Sequence, residues 1–185
     1  CARRAEAILQ ASDDPADARR LANLYGNRGI AHEQMGHLVA ALADYERKLA
    51  FFQKLPERTP EAALDEALAR NDIGVIQALL GQYNDAEVSF QTALDRLTFD
   101  ADAPFLHTGR TLVLMDMAWL KVLRHSPPGT VRRAFQQARA SRDQLVDASA
   151  HLYFTCIDLD EANYLVRSGQ WHEVDRTRLN FLRTQ

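Results

Sequence analysis

A chain of 185 residues, 46% hydrophobic and 25% charged, is long enough to bury a core as one compact or elongated domain. Its net charge of −3 is too small to make nucleic acid or a membrane the main partner. No apolar run approaches the roughly 18 residues of a membrane span, no secretory signal pattern opens the chain, and two cysteines cannot build a disulfide framework, which points to a cytosolic setting.

The first segment, "CARRAEAILQ", looks helical at once. Cys1 at the first position is compatible with a lipid-modified lipoprotein, but the polar tether such anchors carry is missing. Beyond it apolar residues recur at spacings of three and four, as in Leu64, Ala67, Leu68, Val75 and Leu79, or Leu112, Met115, Ala118, Trp119 and Val122. No strand pattern interrupts them, and the fold class is all-α. Proline marks helix starts at Pro15 after Asp14, Pro60 after Thr59 and Pro104 shortly after Asp102, with 45 and 44 residues between successive prolines. Each start predicts a long helix, a glycine turn and a second helix. The turns are expected at Gly36, Gly81, Gly129 and Gly169, spaced 45, 48 and 40 apart. Such a period, with two helices per unit, is the pattern of a helical solenoid.

Two units superimpose well: "YGNRGIAHEQMGHLVAALADYERKLA" and "RNDIGVIQALLGQYNDAEVSFQTALD". Gly29, Gly36, Ala41, Tyr45 and Leu49 of the first fall on Gly74, Gly81, Ala86, Phe90 and Leu94 of the second. This spacing of small and large residues resembles the tetratricopeptide (TPR) repeat, in a long-helix form similar to arrays in bacterial signal-responsive regulators. The resemblance implies a right-handed superhelical solenoid of antiparallel helix pairs, about nine helices in all. Its expected divisions are a half repeat over 1–12, repeats over 15–56 and 57–99, and divergent repeats over 102–145 and 147–185. A half repeat at the start suggests a fragment of a longer array. In the third repeat Ala118 stands where the early glycine belongs, followed by the enlarged turn "HSPPGT", Ala134 and Ala138. In the fourth, Ala162, Gly169 and Val174 match and Arg178 replaces the aromatic. Gly29 is expected to face Ala41, and Gly74 to face Ala86, where a larger side chain would hold the helices apart. Tyr45 and Phe90 are expected to fill the wedges between units.

The resemblance implies a groove lined by the first helices, with Asn23, Asn27, Ile30, Gln34, Asn71, Val75 and Ala78 as contact residues. "LYGNRGIA" resembles one repeat of the clamp by which some TPR proteins hold the acidic C-termini of heat-shock chaperones, and Asn27 falls on a clamp asparagine. The rest of the clamp is missing, because Leu68 and Asp72 occupy places where it needs basic residues. Gly26 is expected to leave a smooth floor beside Asn27.

Catalytic chemistry finds no support. The six histidines are dispersed, neither "HE" pair extends to HExxH, and no metal or cofactor is expected. Cys156 reads as packed core. Gly26 and Gly29 follow no strand and make no dinucleotide fingerprint. Charge is uneven: ten acids against three arginines over 57–102, and no acid over 121–142, where Lys121, Arg124, Arg132, Arg133, Arg139 and Arg142 form a candidate patch for docking an acidic segment. Two function classes stay open. One is a non-catalytic module binding a protein, a peptide or adjacent domains of its parent, as the sensor or scaffold of a larger regulator. The other is a self-assembly module that forms a homo-oligomer through exposed repeat ends.

Overall fold

The computed structural model describes residues 14–54, 59–97, 103–145 and 156–169, together with Glu6, Ala7 and Leu9. Every regular element among them is a helix. The helices are α1 (Pro15–Gln34), α2 (Leu38–Phe52), α3 (Pro60–Leu79), α4 (Tyr83–Arg96), α5 (Pro104–Leu123), α6 (Pro128–Arg142) and α7 (Cys156–Arg167). Seven are thus seen among the described residues where nine were expected. The half repeat before residue 13 and everything after Gly169 fall almost wholly outside the described residues.

Proline at the first helical position opens the long helices as the sequence predicts. Asp14 caps α1 by accepting the Ala16 amide at 2.8 Å, and Thr59 caps α3 by accepting the Ala62 amide at 3.2 Å. The cap of α5 is Ala103, which contributes no side-chain bond, and Asp102 lies outside the described residues.

Helices α1 and α3 both end in a Schellman turn. The His37 amide bonds back to the His32 carbonyl and the Gln82 amide to the Gln77 carbonyl, each at 2.8 Å. That closure needs a left-handed residue, which Gly36 and Gly81 supply at φ 74 and 78. The third turn departs from expectation. Ser126 makes the same bond to Lys121, but the left-handed residue is His125, at φ 52. Gly129 is no turn glycine; it lies in the first turn of α6.

From His125 the chain takes one residue more than from Gly36 or Gly81 to enter the second helix, so Val131 and Phe135 take the positions of Ala86 and Phe90, 45 residues on, and both are fully buried. The expected match through Ala134 and Ala138 was therefore displaced. Each short turn brings its second helix back along the first, so α1 packs on α2, α3 on α4, and α5 on α6.

The chain, expected as one array, divides into two compact units over 1–101 and 102–185. In the first, Ala41 and Tyr45 of α2 cluster with Ile73 and Ile76 of α3. A second cluster joins Ala22 of α1, Phe52 of α2 and Ala69 of α3. In the second unit Ala118, Val131, Phe135 and Ala138 close around Ile157 of α7.

The two glycines inside the hairpins have a different neighbour from the one expected. A Cβ on Gly29 would lie 2.6 Å from the Tyr45 ring, and one on Gly74 would lie 2.7 Å from the Phe90 ring. The aromatic of the second helix, rather than Ala41 or Ala86, fills the space each glycine leaves. Among the described residues no helix is long and apolar enough to cross a membrane.

Candidate partner-binding face

On α1 the residues Asn23, Asn27, Ile30 and Gln34 are spaced four, three and four apart, so they share one face of the helix. All four are exposed, Ile30 by 48%, while Leu21 and Ala22 before them and Tyr25, Gly26 and Gly29 among them are buried. Forty-five residues on, α3 repeats the stripe as Leu68, Asp72, Val75 and Leu79. Leu79 is 50% exposed and the other three are half-buried. Two expected contact residues are corrected here: Asn71 is 3% exposed and Ala78 7%, so both belong to the interior. They correspond to Gly26 and Glu33 of α1, one position nearer the neighbouring helices than the exposed stripe. Val75 keeps its place on the face.

Arg19 of α1 reaches Asp65 of α3 at 2.6 Å, which ties the two helices together at one end of the stripes. Gly26 is not an open floor. The Lys48 side chain lies over it, with Cδ 3.4 Å from where a Cβ would stand, and its Nζ reaches Asp72 at 2.8 Å. Tyr45 donates its hydroxyl to Glu33 at 3.0 Å, and burial together with that carboxylate pushes the phenol pKa up.

Behind the stripe lies a charge network that sequence reasoning missed. Arg28 grips both oxygens of Asp44 at 2.6 Å and holds Glu6 at 2.7 Å, while Tyr25 donates to Glu6 at 3.0 Å. Arg47 adds a contact to Asp44 at 3.0 Å and lies over the Tyr25 ring. Burial raises the Asp44 pKa, but the bidentate Arg28 outweighs it and holds the carboxyl below its ordinary value; Arg28 lowers Glu6 likewise. One signal was available: Asp44 sits one residue before Tyr45, on the packed side of α2, and a buried carboxylate requires a cation.

In the second unit the candidate basic patch loses two members. Arg139 and Arg142 are buried. Arg139 pairs with Glu161 and with Asp158, and Arg142 pairs with Asp158 at 2.6 Å and Asp143 at 3.0 Å. Their acids, Asp143 apart, come from α7, beyond the acid-free segment, so these arginines lock α6 to α7 rather than dock a partner. Lys121, Arg124 and Arg132 hold interactions of their own, and Arg133 is exposed. Trp119 of α5 donates its indole N–H to Asp160 of α7 at 3.1 Å, and burial raises the Asp160 pKa against that bond. Among the described residues no three His, Cys, Asp or Glu side chains converge to hold a metal ion; Cys1 lies outside the description.

No family model and no curated protein matches the chain. Among solved structures the fold is similar to that of BtubC (BKLC) from P. vanneervenii, with a TM-score of 0.72 over 99% of this chain and 69% of that one. Identity is 16%, so the likeness is one of fold alone.

Proposed function

We propose that the chain is a non-catalytic binding module, built as a TPR-like right-handed solenoid of helix pairs, which takes a protein or peptide segment on the face of α1 and α3. In this reading it serves as the interaction part of a larger regulatory protein in the cytosol. The observation that carries the proposal is the stripe on α1, where Asn23, Asn27, Ile30 and Gln34 are all exposed along one face of the helix. Every surface helix needs a polar face, but this stripe carries no charge, and its three amides flank one exposed isoleucine. Amide side chains both donate and accept, which suits the main chain of an extended segment. Ile30 and Leu79 add apolar anchors at the same end of the two stripes.

Selection of a displayed random-peptide library on the full chain tests this reading. Enriched peptides, re-measured by fluorescence anisotropy, are expected to bind Asn27→Ala and Ile30→Asp variants about 5- to 30-fold more weakly, the range of a contact near a hot spot. Peptides that bind both variants as tightly as the parent, or a library that yields none, would remove the proposal.

A further inference from the structure

Where α1, α2 and α3 meet, three charged side chains share one half-buried site. Lys48 leaves α2, lays its methylenes over Gly26 of α1 and places Nζ 2.8 Å from Asp72 of α3. Glu33 of α1 supplies a second carboxylate, which accepts the Tyr45 hydroxyl at 3.0 Å and repels Asp72. Tyr45 in turn clusters with Ile73 and Ile76, so the polar site is seated on the apolar contact that joins the first hairpin to α3. Asp72 here has one ammonium in contact and a second carboxylate acting on it. One negative charge is therefore in excess where water only partly reaches.

We propose that this cluster is a proton-responsive joint between the first hairpin and α3: a proton taken up at Asp72 removes the excess charge, releases Lys48 from α3 and ends the repulsion between Glu33 and Asp72. The groups facing Asp72 are Lys48 and Tyr45 from α2 and Glu33 from α1. Burial and the Glu33 charge outweigh Lys48 and hold the Asp72 carboxyl above its ordinary value. The folded chain then holds this proton more tightly than the unfolded chain does. The stabilisation is complete below the ordinary aspartate value and is lost as the pH rises through the higher value of folded Asp72. Gly26 leaves Lys48 its path: a Cβ alone there would meet the Lys48 Cδ at an ordinary 3.4 Å, but a side chain reaching beyond a methyl would occupy the path.

A carbon-detected NMR titration of the side-chain carboxyls in the full chain tests the joint. The Asp72 midpoint is expected above the ordinary aspartate value of about 3.9, and the Lys48 ammonium signal is expected to follow the same midpoint. Lys48→Met is expected to raise the Asp72 midpoint further, and Glu33→Gln to lower it. Gly26→Met leaves every charge in place and is expected to act in the direction of Lys48→Met. A parent midpoint at or below the ordinary value overturns the proposal, as does a Lys48 signal indifferent to it. So do Lys48→Met and Glu33→Gln midpoints that move in the same direction. The parent titration decides the question even where a variant fails to fold.

Discussion

His125 stands at φ 52 in a turn where the first two hairpins place glycine at φ 74 and 78. Its Cβ crowds the backbone at a cost of roughly 1–2 kcal/mol, although histidine tolerates this region better than most residues. Glycine removes the crowding and gives back part of the gain through its larger freedom in the unfolded chain. His125→Gly is therefore expected to stabilise the second unit by about 0.5–1 kcal/mol, read as a shift in the denaturation midpoint. The opposite sign holds at Gly29. Alanine there gains about 1 kcal/mol of helix propensity, but its Cβ would lie 2.6 Å from the Tyr45 ring, which is itself buried and cannot swing clear. Overlap wins, and Gly29→Ala is expected to cost a net 1–3 kcal/mol or so. Combining it with Tyr45→Leu is expected to recover much of that loss; additive losses in the double variant would refute the contact.

At the level of elements, α7 is attached to α6 by charge as much as by oil. Ile157 enters the core of Val131, Phe135 and Ala138, while Arg139 and Arg142 carry paired acids beside it. Removing one partner of a buried pair strands the other. Arg139→Met is expected to destabilise the α6–α7 contact by removing the guanidinium that pairs with Glu161 and Asp158. Arg139→Met with Glu161→Leu is expected to restore most of it, with hydrogen exchange in α7 as the readout. The elements themselves were largely legible in the sequence. Pro15, Pro60 and Pro104 marked the long helices because proline at a first helical position costs nothing, and Gly36 and Gly81 marked their ends because few other residues close a Schellman turn. The third turn misled for a related reason. "HSPPGT" offers Gly129 where the chain uses His125, and the register slipped past Phe135, which is as deeply buried as Phe90.

For the molecule as a whole, four carboxylates set opposite slopes of stability with pH. Arg28 lowers the Asp44 and Glu6 values, so their contribution is complete above the ordinary carboxylate range and is lost as the pH falls through their folded values. Burial raises Asp72 and Asp160, so their charged forms weigh against the fold above those raised values, and acid relieves the penalty. Chemical denaturation across pH is expected to show a stability maximum on the acid side of neutrality. Asp72→Asn is expected to flatten the neutral limb and Arg28→Met the acid limb; a profile unchanged by both would contradict these assignments. The candidate face was half legible. Asn23, Asn27, Ile30 and Gln34 follow from helical spacing, and the same 45-residue register carried onto α3 gives Leu68, Asp72, Val75 and Leu79; Asn71 and Ala78 each fall one position off that register, on the packed side. Arg139 and Arg142 looked available for docking because their acids arrive from a later helix.

The bond between Trp119 and Asp160 gives the second unit an optical handle of its own. The chain holds only two tryptophans, and one of them donates to a carboxylate across the α5–α7 contact. Indole emission answers to the charge of its acceptor. Replacing Trp171 therefore leaves a single tryptophan wired to the docking of α7, and with excitation beyond the tyrosine band the state of that contact can be followed in solution without attaching a label.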